Sequence, residues 1–119
     1  MEILIVDDEP QVAEVLARSL AREGHSAKIA NSGEEALRLL IKNEPDALFL
    51  DISMPGMNGL DVLSEVKRIR PTLPVVVITG HATPDEVAEV KRLGAVDVIA
   101  KPAPLTHYQQ ALKRLDPRA

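Results

Sequence analysis

Short, continuous apolar runs recur along the chain, and polar or turn-forming residues bound each of them. Runs of this kind are typical of strands that are buried on both faces of a parallel sheet. A weaker, partly polar run over residues 25–30 fits a strand at the edge of the same sheet. The strong runs are Ile3–Val6, Ala47–Leu50 and Val75–Ile78, and Val96–Ala100 is predicted as the last strand.

Between these runs, apolar residues recur at helical spacing and predict five helices. Pro10 and Pro84 suit the first turn of a helix, where a missing N–H group costs no hydrogen bond. Ser32 and Thr83 each precede a glutamate by three residues, as in a capping box, and Asn58 can cap the third helix. The predicted helix ends are Gly24, Glu44–Pro45, Pro71, Gly94 and Pro117. The stripe predicted for the first helix is Val12, Val15, Leu16 and Leu20.

Strict alternation of strands and helices predicts an α/β fold, in which right-handed crossovers place helices on both faces of a parallel sheet. The length of 119 residues is that of one ordinary domain, so we expect a single domain over residues 1–119. Aromatic residues make up only 2% of the chain, which means that the core is aliphatic.

Composition excludes several classes of function. The chain has no cysteine, which excludes disulfides, thiolate metal sites and cysteine nucleophiles. It shows neither a basic leader nor an apolar stretch near the roughly 20 residues of a membrane span, so a cytoplasmic protein is expected. The net charge of −4 argues against direct binding of nucleic acid.

Polar side chains follow the apolar strands at the points where these strands end. Asp7 and Asp8 follow the first strand, Asp51 the third, Thr79 the fourth and Lys101 the fifth. The carboxyl ends of parallel strands share one edge of a sheet, where ligands bind. We therefore expect these five side chains to converge, with Asp51 at the rim and wet enough to stay charged.

The residue types at this edge indicate phosphoryl chemistry. Three crowded carboxylates repel one another unless a cation binds, and an all-oxygen set suits Mg²⁺. Lys101 can pair with a phosphoryl oxygen, and the Thr79 hydroxyl can donate to another. Asp51 can act as a nucleophile, as carboxylates do when they form aspartyl phosphates. Taken singly, each residue has an ordinary explanation as a cap, a turn or a surface residue; the set together favours the site.

In order along the chain, these motifs resemble the receiver domain of bacterial two-component response regulators. The motifs are Asp7–Asp8, Asp51 with Met54–Gly59, Thr79–Gly80, Gly94–Ala95 and Lys101–Pro102. The resemblance covers essentially the whole chain. It implies a flavodoxin-like (βα)5 three-layer sandwich with a five-stranded parallel sheet in the order 2-1-3-4-5.

The resemblance also implies a role for each site residue. Asp51 would accept a phosphoryl group from a sensor histidine kinase or phosphotransfer protein, and the chain would be no enzyme beyond assisting its own phosphorylation and dephosphorylation. Mg²⁺ would be held by Asp8, Asp51 and the backbone carbonyl of Ser53, with Asp7 acting through an ordered water. Lys101 would contact the phosphoryl group and Thr79 would move in to bond it. The Lys101–Pro102 peptide would be cis in this family.

One departure from the family pattern concerns how the signal is transmitted. The family often carries an aromatic residue three positions before the lysine, and this chain has Val98 there. An aromatic side chain therefore cannot report the state of Thr79. Ser53 and His81 stand at positions that vary in the family and tune the lifetime of the phosphoryl group. The surface over residues 84–115 would mediate dimerisation or partner docking, and an effector domain or partner protein would lie outside the chain.

Two other functions fit the same residues. A metal-dependent phosphohydrolase could use Asp51 to form an aspartyl intermediate, although the predicted loops are too short to enclose a substrate. An interaction module that works without phosphorylation could retain the acids as relics. Turnover of a phosphate ester would indicate the first, and failure to bind Mg²⁺ would indicate the second.

Overall fold

The structure is a computed structural model that describes residues 1–54 and 58–115. The predicted turn at Pro55–Gly56 and the predicted helix end at Pro117 lie outside the described residues. In chain order the elements are β1 (Glu2–Val6), α1 (Pro10–Arg22), β2 (Ser26–Ala30), α2 (Gly33–Lys42), β3 (Ala47–Asp51), α3 (Gly59–Ile69), β4 (Val75–Thr79), α4 (Pro84–Arg92), β5 (Asp97–Ala100) and α5 (Leu105–Leu115).

All strand pairs in the sheet are parallel, and the strand order is β2-β1-β3-β4-β5. This confirms the predicted fold class and strand order. The partly polar strand β2 lies at an edge, as its sequence indicated. Because β3 and β4 are interior strands, every residue in both of them is buried, which explains their unbroken apolar runs.

Alternate side chains of the strands supply two cores, one on each face of the sheet. Leu48 and Leu50 point to the face that α2 and α3 cover, whereas Phe49 between them points to the face that α1 and α5 cover. Helix residues complete the two clusters, with Leu40 and Leu63 on the first face and Leu16, Leu20, Tyr108 and Leu112 on the second. The sheet is thus covered on both faces, and its carboxyl edge is left for chemistry.

The predicted stripe of α1 is partly wrong. Val12 and Val15 are 42% and 53% exposed, whereas Ala13 is buried together with Leu16 and Leu20. The prediction counted only large apolar residues, whereas the buried face of the helix includes the small residue Ala13. Similarly, β5 begins at Asp97 rather than at residue 96.

Within residues 1–54 and 58–115, no helix is both long enough and apolar enough to cross a membrane.

Candidate functional site

The parallel strands bring the predicted site residues to one edge of the sheet. Asp51 and Thr79 are the last residues of β3 and β4, and Asp7 and Lys101 follow directly after β1 and β5. In the strand register Asp51 lies opposite Ile78, so the neighbouring strands end at nearly the same level. The convergence that the strand ends predicted is therefore present in the structure.

Three carboxylates form the centre of the site. Asp7, Asp8 and Asp51 each place one oxygen within 4.8 Å of the other two. Asp8 is exposed, whereas Asp7 and Asp51 are only 3% and 1% exposed. The expectation of a wet Asp51 is wrong, because the residue is almost completely buried although it is the last residue of β3.

Two protein groups donate hydrogen bonds to the buried carboxylate of Asp51. Its Oδ1 accepts a hydrogen bond from the backbone N–H of Ser53 at 2.8 Å, and its Oδ2 accepts one from Lys101 Nζ at 2.5 Å. The first bond fixes the plane of the carboxylate from within its own loop. The second supplies a counter-ion, which a buried carboxylate needs. Asp51 is therefore held in one orientation before any ligand arrives.

Lys101 is shared among the acids of the site. Besides Asp51, its Nζ lies 3.8 Å from Asp7 Oδ2 and 3.6 Å from Glu9 Oε1. Burial alone lowers the pKa of Lys101, but the hydrogen bond and charge of Asp51, with the charges of Asp7 and Glu9, raise that pKa above its ordinary value. Sequence reasoning missed Glu9, although its position directly after Asp7–Asp8 placed it in the same loop.

The surroundings of Asp7 disfavour the charged form of its carboxyl group. Burial raises its pKa, and the negative charges of Asp51 and Glu9 add to the rise. The Glu9 N–H, which donates to Asp7 Oδ1 at 2.9 Å, and the Lys101 ammonium lower the pKa but do not cancel that rise. The charged form of Asp7 is therefore less favourable in the folded protein than in the unfolded chain.

This unfavourable charge predicts that Asp7→Asn stabilises the metal-free protein at neutral pH. Because the pKa of Asp7 is higher in the folded protein than in the unfolded chain, protonation of Asp7 favours folding. This stabilisation is fully present below the unfolded pKa near 3.8, and it is lost as the pH rises through the folded-state pKa. Removing the charge should therefore raise the free energy of unfolding by roughly 0.5–2 kcal/mol at neutral pH. Urea unfolding in EDTA, at neutral pH and near pH 4, measures the gain, which should shrink at the lower pH. A loss of stability at neutral pH would contradict the prediction.

The donor set fits a hard divalent cation. The ligand atoms are all carboxylate oxygens, without histidine or cysteine, and one of the three acids is open to solvent. Such a set suits Mg²⁺, which takes one or two carboxylates and keeps several waters. Burial is the main cause of the raised Asp7 pKa, and a bound cation would offset the smaller part that comes from the charges of Asp51 and Glu9.

Thr79 closes the site on the side of β4. It is 1% exposed, and its Oγ1 donates a hydrogen bond to Glu86 Oε1 in the first turn of α4 at 2.5 Å. Ser53 Oγ lies 3.4 Å from the same threonine oxygen. Sequence reasoning placed Glu86 only in a capping box and missed its contact with the site, because it stands seven residues from Thr79 in another element.

One expectation from the resemblance and two packing features complete the description of the site. The Lys101–Pro102 peptide is cis, as expected. Tyr108 packs edge-to-face on Phe49, with ring centroids 5.6 Å apart, and burial raises the pKa of its phenol. Val98 is half-buried in β5.

Comparison with known proteins gives a consistent result. The family model "Response regulator receiver domain" matches residues 3–113. The chain is 37% identical over 115 residues to response regulator MprA of Mycobacterium leprae, which covers 97% of this chain and 50% of MprA. It is 37% identical over 117 residues to the DNA-binding transcriptional regulator NtrC of Klebsiella pneumoniae, which covers 89% of this chain and 25% of NtrC. The chain thus spans half or less of the length of these curated relatives.

Solved structures show the same architecture. The CheY-like receiver domain protein of Methanospirillum hungatei superimposes with a TM-score of 0.90 at 28% identity, covering 97% of this chain and 93% of that one. The receiver domain of NtrX from Brucella abortus gives a TM-score of 0.87 at 36% identity, covering 95% of this chain and 96% of that one. The fold of this chain is therefore that of CheY-like domains.

Proposed function

The chain belongs to the response regulator receiver domain family, and on that premise we propose that Asp51 is its phosphoryl acceptor. The observation that carries the proposal is the 2.5 Å contact between Lys101 Nζ and Asp51 Oδ2 at the centre of three carboxylates. A nucleophilic carboxylate, a cation for the incoming charge and an acidic set that suits Mg²⁺ lie together at one edge of the sheet.

In the proposed reaction an oxygen of Asp51 forms a bond to phosphorus, while the bond between phosphorus and the leaving atom of the donor breaks. The Ser53 N–H keeps the Asp51 carboxylate oriented throughout, since it is part of the same loop. Lys101 already sits at the carboxylate and can pair with a phosphoryl oxygen as charge is transferred. Phosphoryl transfer needs mainly such positioning and neutralisation.

Asp8, Asp51 and the backbone carbonyl of Ser53 would hold Mg²⁺, with Asp7 acting through an ordered water. When bound, the ion would neutralise the acids and the incoming phosphoryl oxygens. Asp7 suits the outer role, because its Oδ1 already accepts from Glu9 and its Oδ2 faces Lys101. Exposed Asp8 suits direct ligation.

Family membership favours this signalling role over a phosphohydrolase or a phosphorylation-independent module. We propose that residues 1–119 act as a single cytoplasmic receiver domain whose donor is a sensor histidine kinase or phosphotransfer protein. An output domain or partner protein outside these residues would read the signal, and this chain itself would bind no nucleic acid. Residues 84–115 would form a homodimer or docking face; exposed Val96 and Leu105 lie on it.

The test is phosphorylation of the purified protein by acetyl phosphate, followed by intact mass. With Mg²⁺ we expect the mass of one phosphoryl group to be gained, and with EDTA we expect at least a tenfold lower rate, because the crowded acids then repel the donor. Ca²⁺ at the same concentration controls for divalent charge alone. A folded protein that gains no mass with Mg²⁺ would overturn the proposal.

A further inference from the structure

The hydroxyl of Thr79 has one proton, and the structure shows where that proton goes. Thr79 Oγ1 lies 2.5 Å from Glu86 Oε1, and a carboxylate can only accept, so threonine is the donor. The backbone N–H of His81 donates to the same threonine oxygen at 3.0 Å. The hydroxyl thus uses its only proton for Glu86 and accepts one hydrogen bond from His81.

Ser53 does not change this assignment. Its Oγ accepts a hydrogen bond from the Gly80 N–H at 2.8 Å and lies 3.4 Å from Thr79 Oγ1. Because the threonine proton is already directed to Glu86, any bond between the two hydroxyls uses the serine proton. A phosphoryl oxygen on Asp51 can therefore receive the Thr79 proton only if Glu86 gives it up.

The carboxylate of Glu86 does not close the capping box that the sequence predicts. Thr83 Oγ1 accepts from the Glu86 N–H at 3.1 Å, which is half of the box. The other half would need the Thr83 N–H, but that group donates to the His81 carbonyl at 2.9 Å. The Glu86 side chain instead reaches back to the end of β4.

Helix α4 has fewer buried residues than the other helices, so the hydrogen bond between Thr79 and Glu86 matters more for its position. The structure describes all nine residues of α4, and of these only Val90 is buried. The other helices each bury three or more residues. Since burial holds α4 only weakly, the hydrogen bond from Thr79 to Glu86 is a specific additional tie between β4 and the first turn of α4.

We propose that Glu86 holds the Thr79 hydroxyl in the unphosphorylated state, so that the α4 carboxylate and a phosphoryl group on Asp51 compete for one proton. The inference rests on the proposed function of Asp51. When Thr79 turns to the phosphoryl group, half-buried Glu86 takes water as its donor, and the first turn of α4 loses its tie to β4. Phosphorylation of Asp51 would thus change the attachment of α4 without the aromatic residue that the family often has at the position of Val98.

The competition is tested with beryllofluoride, a phosphoryl mimic, in the presence of Mg²⁺. We expect Glu86→Ala to bind it roughly three- to tenfold more tightly than the unsubstituted protein, since one charge-assisted hydrogen bond no longer opposes binding. Glu86→Gln keeps a weaker acceptor and should show a smaller gain. Asp85→Asn removes a charge from the same helical turn without touching Thr79 and should leave the affinity unchanged.

A double-mutant cycle with Thr79→Ala separates competition from a general charge effect. With no hydroxyl to contest, Glu86→Ala should change the affinity little in that background. An equal gain in both backgrounds, or no gain in the native background, would overturn the role of Glu86. If the unsubstituted protein binds no beryllofluoride, the function proposed for Asp51 fails first. In that case the contact between Thr79 and Glu86 is tested by itself, by measuring the Thr79 side-chain rotamer through NMR couplings in the ligand-free native protein and in Glu86→Ala. If the rotamer is the same in both, Glu86 does not hold the Thr79 hydroxyl.

Discussion

Asp51→Asn is expected to gain no phosphoryl group from acetyl phosphate under conditions that phosphorylate the native protein. The amide nitrogen and oxygen are poor nucleophiles compared with a carboxylate, and among the described residues neither Asp7 nor Asp8 has the two supports that Asp51 has. Asp7 has its two oxygens turned to Glu9 and Lys101, and Asp8 is exposed. The expected effect is complete loss of the added mass, measured by intact mass spectrometry.

The loss is interpretable because the variant should still fold. An asparagine oxygen can accept from the Ser53 N–H, and Lys101 keeps Asp7 and Glu9 as counter-ions. Asp46→Asn is the matched control, since Asp46 immediately precedes the same strand but lies at the opposite edge, where its Oδ2 accepts from the Glu2 N–H. Phosphorylation of Asp51→Asn at the native rate, or loss of phosphorylation in Asp46→Asn, would contradict the assignment.

Most of the fold could be predicted because its signals are local and strong. Strands buried on both faces have no polar face, so β3 and β4 appear as unbroken apolar runs in the sequence. The stripe of α1 was harder, because Ala13 contributes to the core through its small size rather than its hydrophobicity. Whether a small or a large residue fits at a contact depends on the residue that it faces, and the helical pattern does not identify that residue.

The site could be predicted as far as strand ends determine position. Topology alone predicts that Asp51, Thr79 and Lys101 lie together. It does not predict the burial of Asp51, because burial depends on packing between residues that are far apart in the sequence. Glu86 was missed for a related reason. Its sequence context specifies a cap, and only the three-dimensional structure shows that the Thr83 N–H is already taken by His81.

The charges of the site residues explain why neutralising one of the acids should stabilise the protein. Lys101 is the counter-ion of two buried carboxylates and lies near Glu9, yet burial, with the charges of Asp51 and Glu9, still raises the pKa of Asp7. Clustered acids cost folding free energy, and such arrangements are typical of functional sites. The expected stabilisation by Asp7→Asn follows from the same raised pKa.

The loop that carries Ser53 is anchored by a close contact between Gly59 and Ile52. A Cβ atom added to Gly59 would lie 2.3 Å from Ile52 Cβ, 2.6 Å from its Cα and 2.7 Å from its carbonyl oxygen. Two of these three atoms belong to the backbone, so no change of rotamer can relieve the clash. Gly59 is also the first residue of α3, directly after the Asn58 cap, which limits how far it can move.

Gly59→Ala should therefore lower the free energy of unfolding by about 3 kcal/mol or more, measured by urea denaturation. Gly80→Ala is the control, because the added Cβ would meet only Ser53 Oγ at an ordinary 3.7 Å. We expect it to change stability by less than about 0.5 kcal/mol. Equal stabilities of the two variants would show that the Ile52 segment can yield. In that case Ser53 would be held by its hydrogen bonds to Asp51 and Gly80 rather than by the contact with α3.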